Sequence, residues 1–323
     1  MTLFLNHDDV HASVTMHDAI EAIEEAFQEQ GAGAVLQPNR LNVKAGKGWL
    51  RLGPAVMERS GWMGFKAMNL AAGFGVRYQV HLYRIADGDL VAIMDAQHLT
   101  TLRTGATSAV ATRRLARKDP TMVGVLGSGV ESRAQLEAMH ALNLVRSARV
   151  YSPNSSHRER FAVEMSNSLD VEVVPVPAGR DAVAGCGIVV AGVKSTETVV
   201  FGDWLDPGTH VNSVGTARPE QREIDLRTFQ RSAVVVVDTK QGVFGEAGDA
   251  IAAKDVIALE QVYELSDLVA GRAPVRTGRD QITLFKSVGM TLEDIALAAR
   301  VYSGACQRGL GTKITEFPVI KPI

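Results

Sequence analysis

The stretch Thr121-Met-Val-Gly-Val-Leu-Gly127-Ser-Gly129-Val-Glu-Ser132-Arg-Ala-Gln-Leu runs an apolar strand straight into Gly-x-Gly and then into a helical pattern. A second apolar strand, Ala148-Arg-Val-Tyr151, follows one helix length later and completes a βαβ unit. Gly127 suits the tight turn, and Gly129 suits the close approach of a pyrophosphate resting on free N–H groups at the positive end of the helix dipole. On this reading Gly127, Ser128, Gly129, Val130 and Glu131 form a dinucleotide-binding turn. Ser132 stands where the fingerprint has its third glycine; serine is small enough for helix–strand packing, but two glycines select less sharply than three. The competing reading is an ordinary glycine turn in an α/β sheet.

At 323 residues the chain exceeds the size at which a single core stops growing, so two domains are expected. A formal net charge of -2 implies no polyanionic partner such as nucleic acid. The longest apolar runs, such as Ala233-Val-Val-Val-Val237, are strand-sized and far short of the roughly 20 residues that cross a bilayer. The start, Met-Thr-Leu-Phe-Leu-Asn-His-Asp-Asp, lacks the basic and apolar regions of a secretory signal, so a soluble, cytoplasmic protein without membrane partners is expected. Cys186, within Ala-Gly-Cys-Gly-Ile-Val-Val, and Cys306, within a helical pattern, are both expected to be buried and inert. The 8 histidines show no ligand spacing with cysteines or carboxylates, so no metal is expected.

Residues Ser13 to Gln30 repeat apolar positions at helical spacing and end at Gly31 and Gly33, which predicts an opening amphipathic helix. Strand-like pieces follow at 40–43, 49–53, 64–69, 79–85 and 90–95, the last two joined as a hairpin around Ala86-Asp-Gly88-Asp. A helix rich in alanine and threonine from His98 to Lys118 is broken by Lys-Asp-Pro120, the expected domain boundary. Strands then alternate with helices: strands at 148–151, 171–174, 187–191, 210–214 and 233–237, helices at 157–169 and 181–184. Such alternation predicts an α/β fold with a doubly wound parallel sheet of Rossmann type over 119–290. Residues 1–118 form a second, α+β domain, completed by 291–323, whose helix from Thr291 to Arg308 returns to it.

At the end of the second strand an acidic residue normally bonds the ribose 2′-hydroxyl. Here Ser152, Asn154, Ser155 and Arg158 stand in its place, and no carboxylate precedes Glu159. Either NAD or NADP fits, and the segment leans towards NADP; Arg158 as a solvated helix residue is the alternative.

Four further strings lie in order around this turn: Leu99-Thr-Thr-Leu-Arg103-Thr-Gly-Ala-Thr-Ser-Ala, Val211-Asn-Ser-Val-Gly215 with Arg-Glu223-Ile-Asp225, Glu246-Ala-Gly-Asp249, and Thr283-Leu-Phe-Lys286-Ser-Val-Gly289. Together they closely resemble the ornithine cyclodeaminase and mu-crystallin family, which also holds archaeal-type alanine dehydrogenases and ketimine reductases. The resemblance covers nearly the whole chain. It implies a homodimer in which the first domain is both substrate platform and subunit interface, with NAD(P) chemistry at the α-carbon of a small amino or imino acid. Closure between the domains would exclude water.

The resemblance also assigns roles. Arg103 and Lys66 match the family's carboxylate-binding arginine and substrate-binding lysine and are the expected catalytic residues; Arg40 is a further carboxylate ligand, with Arg51 its competitor. The bland alternatives are a salt-bridged helix arginine and a lysine on an exposed strand face. Val214, Gly215, Asp249, Lys286, Ser287 and Gly289 are expected on the cofactor side, backbone groups near Gly289 bonding a carboxamide. Ser287 reads equally as a helix cap, Asp249 as a loop anchor, and Glu223, Asp225 and Glu246 as capping carboxylates. Cyclodeaminases resemble one another in an aspartate two residues after the glycine matched by Gly215, where this chain has Ala217. Alanine accepts no proton, so the expected function is NAD(P)H-dependent reduction of an imino acid. The enzymatic alternatives are cyclodeamination and alanine-dehydrogenase-like oxidative deamination; the non-enzymatic one is a crystallin-like binder of NADP and a small ligand. Met68, Asn69, Phe74, Tyr78 and His81 are candidate pocket residues.

Overall fold

The computed structural model describes residues 1–119, 121–315 and 317–319. It forms two compact units, Met1–Arg103 with Met290–Ile323, and Thr104–Gly289. Pro120, on which the expected boundary falls, lies outside the described residues. The first unit runs β1 (Thr2–Leu5), α1 (His7–Ser13), α2 (Met16–Gly31), β2 (Val35–Leu36), β3 (Leu41–Ala45), β4 (Gly48–Met57), β5 (Trp62–Ala71), β6 (Gly75–Arg84) and β7 (Leu90–Asp95) into α3 (Gln97–Leu115). The second runs β8 (Thr121–Leu126), α4 (Val130–Ala141), β9 (Val145–Tyr151), α5 (Ser155–Leu169), β10 (Glu172–Pro175), α6 (Gly179–Val183), β11 (Ile188–Ala191), β12 (His210–Ser213), α7 (Leu226–Arg231), β13 (Ser232–Val237), α8 (Lys240–Glu246), α9 (Gly248–Ala253), β14 (Val262–Glu264), α10 (Leu265–Val269) and β15 (Ile282–Lys286). The chain then returns to the first unit as α11 (Thr291–Arg308) and β16 (Thr312–Ile314).

The first unit is a mixed sheet, ordered β16-β1-β7-β6-β5-β4-β2 with β3 paired to β4, and α11 lies on β4, β5 and β6 beside α2. Leu292, Ile295, Leu297, Ala298 and Val301 give α11 its buried stripe, each large side chain stabilising by about 1.5–3 kcal/mol. Gly64 permits that approach, since a Cβ there would stand 2.9 Å from Ile295 Cδ1 and 2.3 Å from the His81 carbonyl oxygen. The opening helix expected over 13–30 is α2, which starts at Met16, and a separate short helix, α1, precedes it. A reciprocal capping box between Thr15 and Asp18 starts α2 afresh after α1 ends at Ser13, because its paired bonds satisfy N-terminal donors that a continuous helix would not expose.

The second unit is an eight-stranded sheet, β10-β9-β8-β11-β12-β15-β13-β14, parallel at every pairing. Its strands are near-continuous apolar runs such as Val234–Val237 and Ile188–Ala191, as burial on both faces requires. Strand order reverses between β8 and β11, which is the topological switch point of a Rossmann-type fold. The division between units falls within α3. Residues 104–115 belong with the parallel sheet because Thr112 Oγ1 bonds His210 Nε2 (3.1 Å) and accepts from Asn212 Nδ2 (2.9 Å). No described helix is long and apolar enough to cross a membrane.

Candidate active site

In the first unit Lys66 is carried by β5 and Arg103 by α3, both nearly buried at 4% and 9% exposure. Lys66 Nζ donates to Asp294 Oδ1 (2.8 Å) and Thr100 Oγ1 (2.7 Å), and stands 5.2 Å from the Tyr78 ring centroid. Two acceptors occupy two of its three N–H donors. Arg103 Nη1 donates to Glu293 Oε2 (2.5 Å), with Nε 3.3 Å from Asp294 Oδ1. Burial lowers the Lys66 pKa to about 8; Asp294 opposes the shift, while Arg103 and Arg40 reinforce it. Arg40 therefore bears electrostatically on Lys66, and its Cγ lies 3.5 Å from where a Gly53 Cβ would stand, Gly53 being paired with Lys66 across the sheet. Arg51 is instead engaged with Asn42 Oδ1 at 2.6 Å.

Of the candidate pocket residues, Met68 and Tyr78 pair on the sheet face that carries Lys66. Asn69 and His81 point to the opposite face, where His81 stacks on Phe65 at 4.5 Å. Phe74 sits in the β5–β6 turn at 76% exposure.

In the second unit the glycine turn has the shape its sequence demands. Gly127 adopts φ +110°, and a Cβ there would be 2.7 Å from Ser132 Oγ and 2.9 Å from Val193 Cγ1. Ser132 is fully buried against Gly127 and Gly192, the contact that a third fingerprint glycine would make. Gly129 is exposed and caps α4 without any side-chain bond; a Cβ on it would meet no atom within 4 Å, so open space adjoins the helix N-terminus formed by Val130 and Glu131. At the end of β9, Ser128 Oγ donates to Ser152 Oγ (3.0 Å) and Arg158 Nη1 to the Ser152 carbonyl (3.0 Å). Asn154 Oδ1 caps α5, which begins at Ser155, by accepting from His157 N at 3.1 Å. This geometry fits a dinucleotide: Gly127–Glu131 offer a pyrophosphate cradle, and the residues after β9 offer hydroxyls and a guanidinium to a ribose.

Beyond β12 and β15 the acidic and basic residues turn inward. Lys286 Nζ, fully enclosed, meets Ser213 Oγ (2.8 Å), Thr216 Oγ1 (2.6 Å), Glu223 Oε1 (3.3 Å) and Asp249 Oδ2 (3.1 Å). The Lys286 and Asp249 side chains, expected among cofactor contacts, are thus corrected to supports: at 0% and 2% exposure their charges are satisfied within the protein. Burial pushes the Glu223 pKa up, Asp249 adding to the shift and Lys286 opposing it. Asp238, which no sequence pattern singles out, follows β13 and accepts from Ser287 Oγ (2.8 Å), Val288 N (2.8 Å) and Gly289 N (2.6 Å). The amides expected to bond a carboxamide are therefore engaged by Asp238, and Ser287 is no cap, since the residue preceding α11 is Met290. Asp225 does cap α7, accepting from Thr228 N at 2.8 Å. Cys186 is buried with its thiol pushed up to about 11 by burial, whereas Cys306 is exposed, a correction to its expected burial.

A parallel, switch-point sheet with a Gly-x-Gly turn, joined to a sheet unit that buries a lysine and an arginine, defines a Rossmann-type two-unit α/β protein. Within that class the chain belongs to the Ornithine cyclodeaminase/mu-crystallin family, whose profile matches residues 1–309. It is similar to the Δ1-pyrroline-2-carboxylate reductase of Thermococcus litoralis solved with NADH and L-proline, with 34% identity, TM-score 0.92, and coverage of 97% of this chain and 100% of that one. An archaeal alanine dehydrogenase dimer with bound NAD is 30% identical with TM-score 0.91, covering 98% and 99% of the two chains. Ketimine reductase mu-crystallin of Mus musculus is 30% identical over 91% of this chain and 93% of its own.

Proposed function

We propose that the protein is an NAD(P)H-dependent reductase of imino acids, converting a ketimine to the corresponding amino acid. The observation that carries this reading is the pair of buried cations Lys66 and Arg103 gathered on one carboxylate, Asp294 Oδ1 lying 2.8 Å from the Lys66 ammonium and 3.3 Å from Arg103 Nε, a fixed positive pair of the kind that binds an anionic small molecule. A bound nicotinamide supplies the hydride to the α-carbon. Gly127, Ser128, Gly129, Val130 and Glu131 would hold its pyrophosphate; Ser152, Asn154, Ser155 and Arg158 the adenosine ribose; and the loop of Val214–Gly215 its other end. Arg158 beside the strand end, with no carboxylate there, favours NADP.

The guanidinium of Arg103, joined by Arg40, clamps the substrate carboxylate. Lys66 keeps a donor for the imine nitrogen, and with a pKa of about 8 it holds that proton at neutral pH and releases it readily. Met68 and Tyr78 flank this lysine and meet the substrate side chain. Ala217 provides no carboxylate for ammonia loss, which sets cyclodeamination aside. The test is reduced-nicotinamide absorbance in the presence of imines made from keto acids with ammonia or methylamine, and of cyclic imines. Stoichiometric loss of absorbance with at least one member is expected; no response to any would favour a binding protein without turnover.

The same reading includes a homodimer. Leu41, Val43 and Leu50, at 58%, 48% and 42% exposure, cover the sheet face opposite α11, an apolar surface of the kind that pairs with a second copy. Leu50→Glu should halve the mass measured by light scattering.

A further inference from the structure

Two loops leave neighbouring strands at the carboxyl rim of the parallel sheet: Gly192-Val193 after β11, and Val214-Gly215-Thr216 after β12. One carboxylate binds both. The Val193 amide donates to Glu223 Oε2 (3.2 Å) and the Gly215 amide to Glu223 Oε1 (2.9 Å). The loops are so close that a Cβ on Gly215 would lie 2.2 Å from both the nitrogen and oxygen of Val193. Val193 Cγ1 is in turn, after Ser132 Oγ, the atom nearest to where a Cβ on Gly127 would stand, so the contact continues into the phosphate-binding turn.

Glu223 is itself fixed from three sides. Ser213 Oγ donates to Oε1 (2.6 Å), Lys286 Nζ lies 3.3 Å from the same oxygen, and the Glu223 amide donates to Asp249 Oδ2 (3.2 Å). Two diverging N–H groups on separate loops require an acceptor with two equivalent oxygens, which a carboxylate has and an amide lacks. Glu223 and Lys286 are fully buried and Asp249 is 2% exposed, so none of the three meets a ligand.

Building on the dinucleotide reading above, we propose that Glu223 is a positioning residue for the cofactor. It sets the spacing of the 192–193 and 214–216 loops at the switch-point rim, and the Lys286–Asp249 pair holds it there. Cofactor affinity then depends on a carboxylate that never touches the cofactor.

The test titrates NADH and NADPH into the ligand-free full-length protein and reads binding by nicotinamide fluorescence, with thermal melts alongside. Glu223→Gln places an N–H donor against one loop amide and should raise the dissociation constant about tenfold. Asp225→Asn, which weakens the α7 cap in the same unit, should leave it within twofold. Ser213→Ala removes one donor from Glu223 and one acceptor from Lys286, leaves both loop amides on the carboxylate, and should raise the constant about threefold to fivefold in protein whose melt shows it folded. Unchanged affinity in Glu223→Gln overturns the proposal, as does unchanged affinity in Ser213→Ala should Glu223→Gln fail to fold, and as does an equal loss of affinity in Asp225→Asn. A wild-type protein that binds neither dinucleotide would instead overturn the reading on which the proposal rests.

Discussion

Lys66 in the first unit and Lys286 in the second are both ammonium groups buried beside carboxylates, yet they are provisioned differently. Lys66 has two acceptors, retains 4% exposure, and is held down to about 8 because burial outweighs Asp294. Lys286 has four oxygens within 3.3 Å and no exposure at all. A buried charge with a donor in reserve can serve a ligand, whereas one whose bonds are all internal can only organise the backbone around it. On the proposed function, the same residue type serves substrate chemistry in one unit and loop architecture in the other.

The largest effect should come from the unit whose lysine keeps a donor in reserve. Arg103→Met is expected to lower kcat/KM for imine reduction by about two orders of magnitude, the loss of a bidentate charge-assisted contact worth roughly 3 kcal/mol, while dinucleotide affinity stays within twofold. Steady-state kinetics with parallel fluorescence titration separates the two. Retained turnover would erase the distinction between the units.

The second unit should respond the other way round, in cofactor binding. Gly127→Ala forces a side chain into φ +110° with Ser132 Oγ only 2.7 Å away, a strain of roughly 1–3 kcal/mol. Its dinucleotide affinity should fall about tenfold and its Tm by several degrees, measured by titration and calorimetry.

How far the sequence reveals this contrast depends on what each residue signals locally. The glycine turn is legible because strand, Gly-x-Gly and helix are contiguous, and Lys66 and Arg103 are legible as charges in apolar surroundings. Their partners are not. Glu293 and Asp294 stand in the first turn of α11, where acidic residues ordinarily serve the helix dipole, and only the tertiary fold turns them towards Lys66 and Arg103. The strand Ile282–Lys286 is hidden because a short apolar run carries no period, so from sequence Lys286 looks like a rim residue rather than the buried end of a central strand. Asp238 offers only an Asp-Thr pair after a valine run, a signal shared by many strand ends.

A gentler probe uses pH. In the folded protein Lys66 is protonated below about 8, so kcat/KM for imine reduction should be level below that value and fall above it. Lys66→Arg, whose guanidinium stays charged, should remove the falling limb whatever activity remains. The stability sign is opposite. Between about 8 and the ordinary 10.5 the unfolded chain holds a proton that the folded one has released, so this group's contribution to stability rises with pH across that window. An alkaline limb that persists in Lys66→Arg would assign it to another group.

The smallest effect concerns the two thiols, one in each unit. Cys186 is enclosed in the second unit's core, its thiol pushed to about 11, and donates to the Ala182 carbonyl oxygen at 3.3 Å. Cys306 continues the solvent face of α11 three residues after exposed Ser303, so its side chain packs against no core. A thiol reagent applied to the native protein should therefore modify one cysteine per chain, and Cys306→Ser should abolish that reaction while changing stability by less than about 0.5 kcal/mol. Denaturation should expose the second thiol in both proteins. Modification of Cys186 under native conditions would mean that the second unit's core opens readily, which a sheet fastened at its rim by Glu223 and Asp238 should prevent.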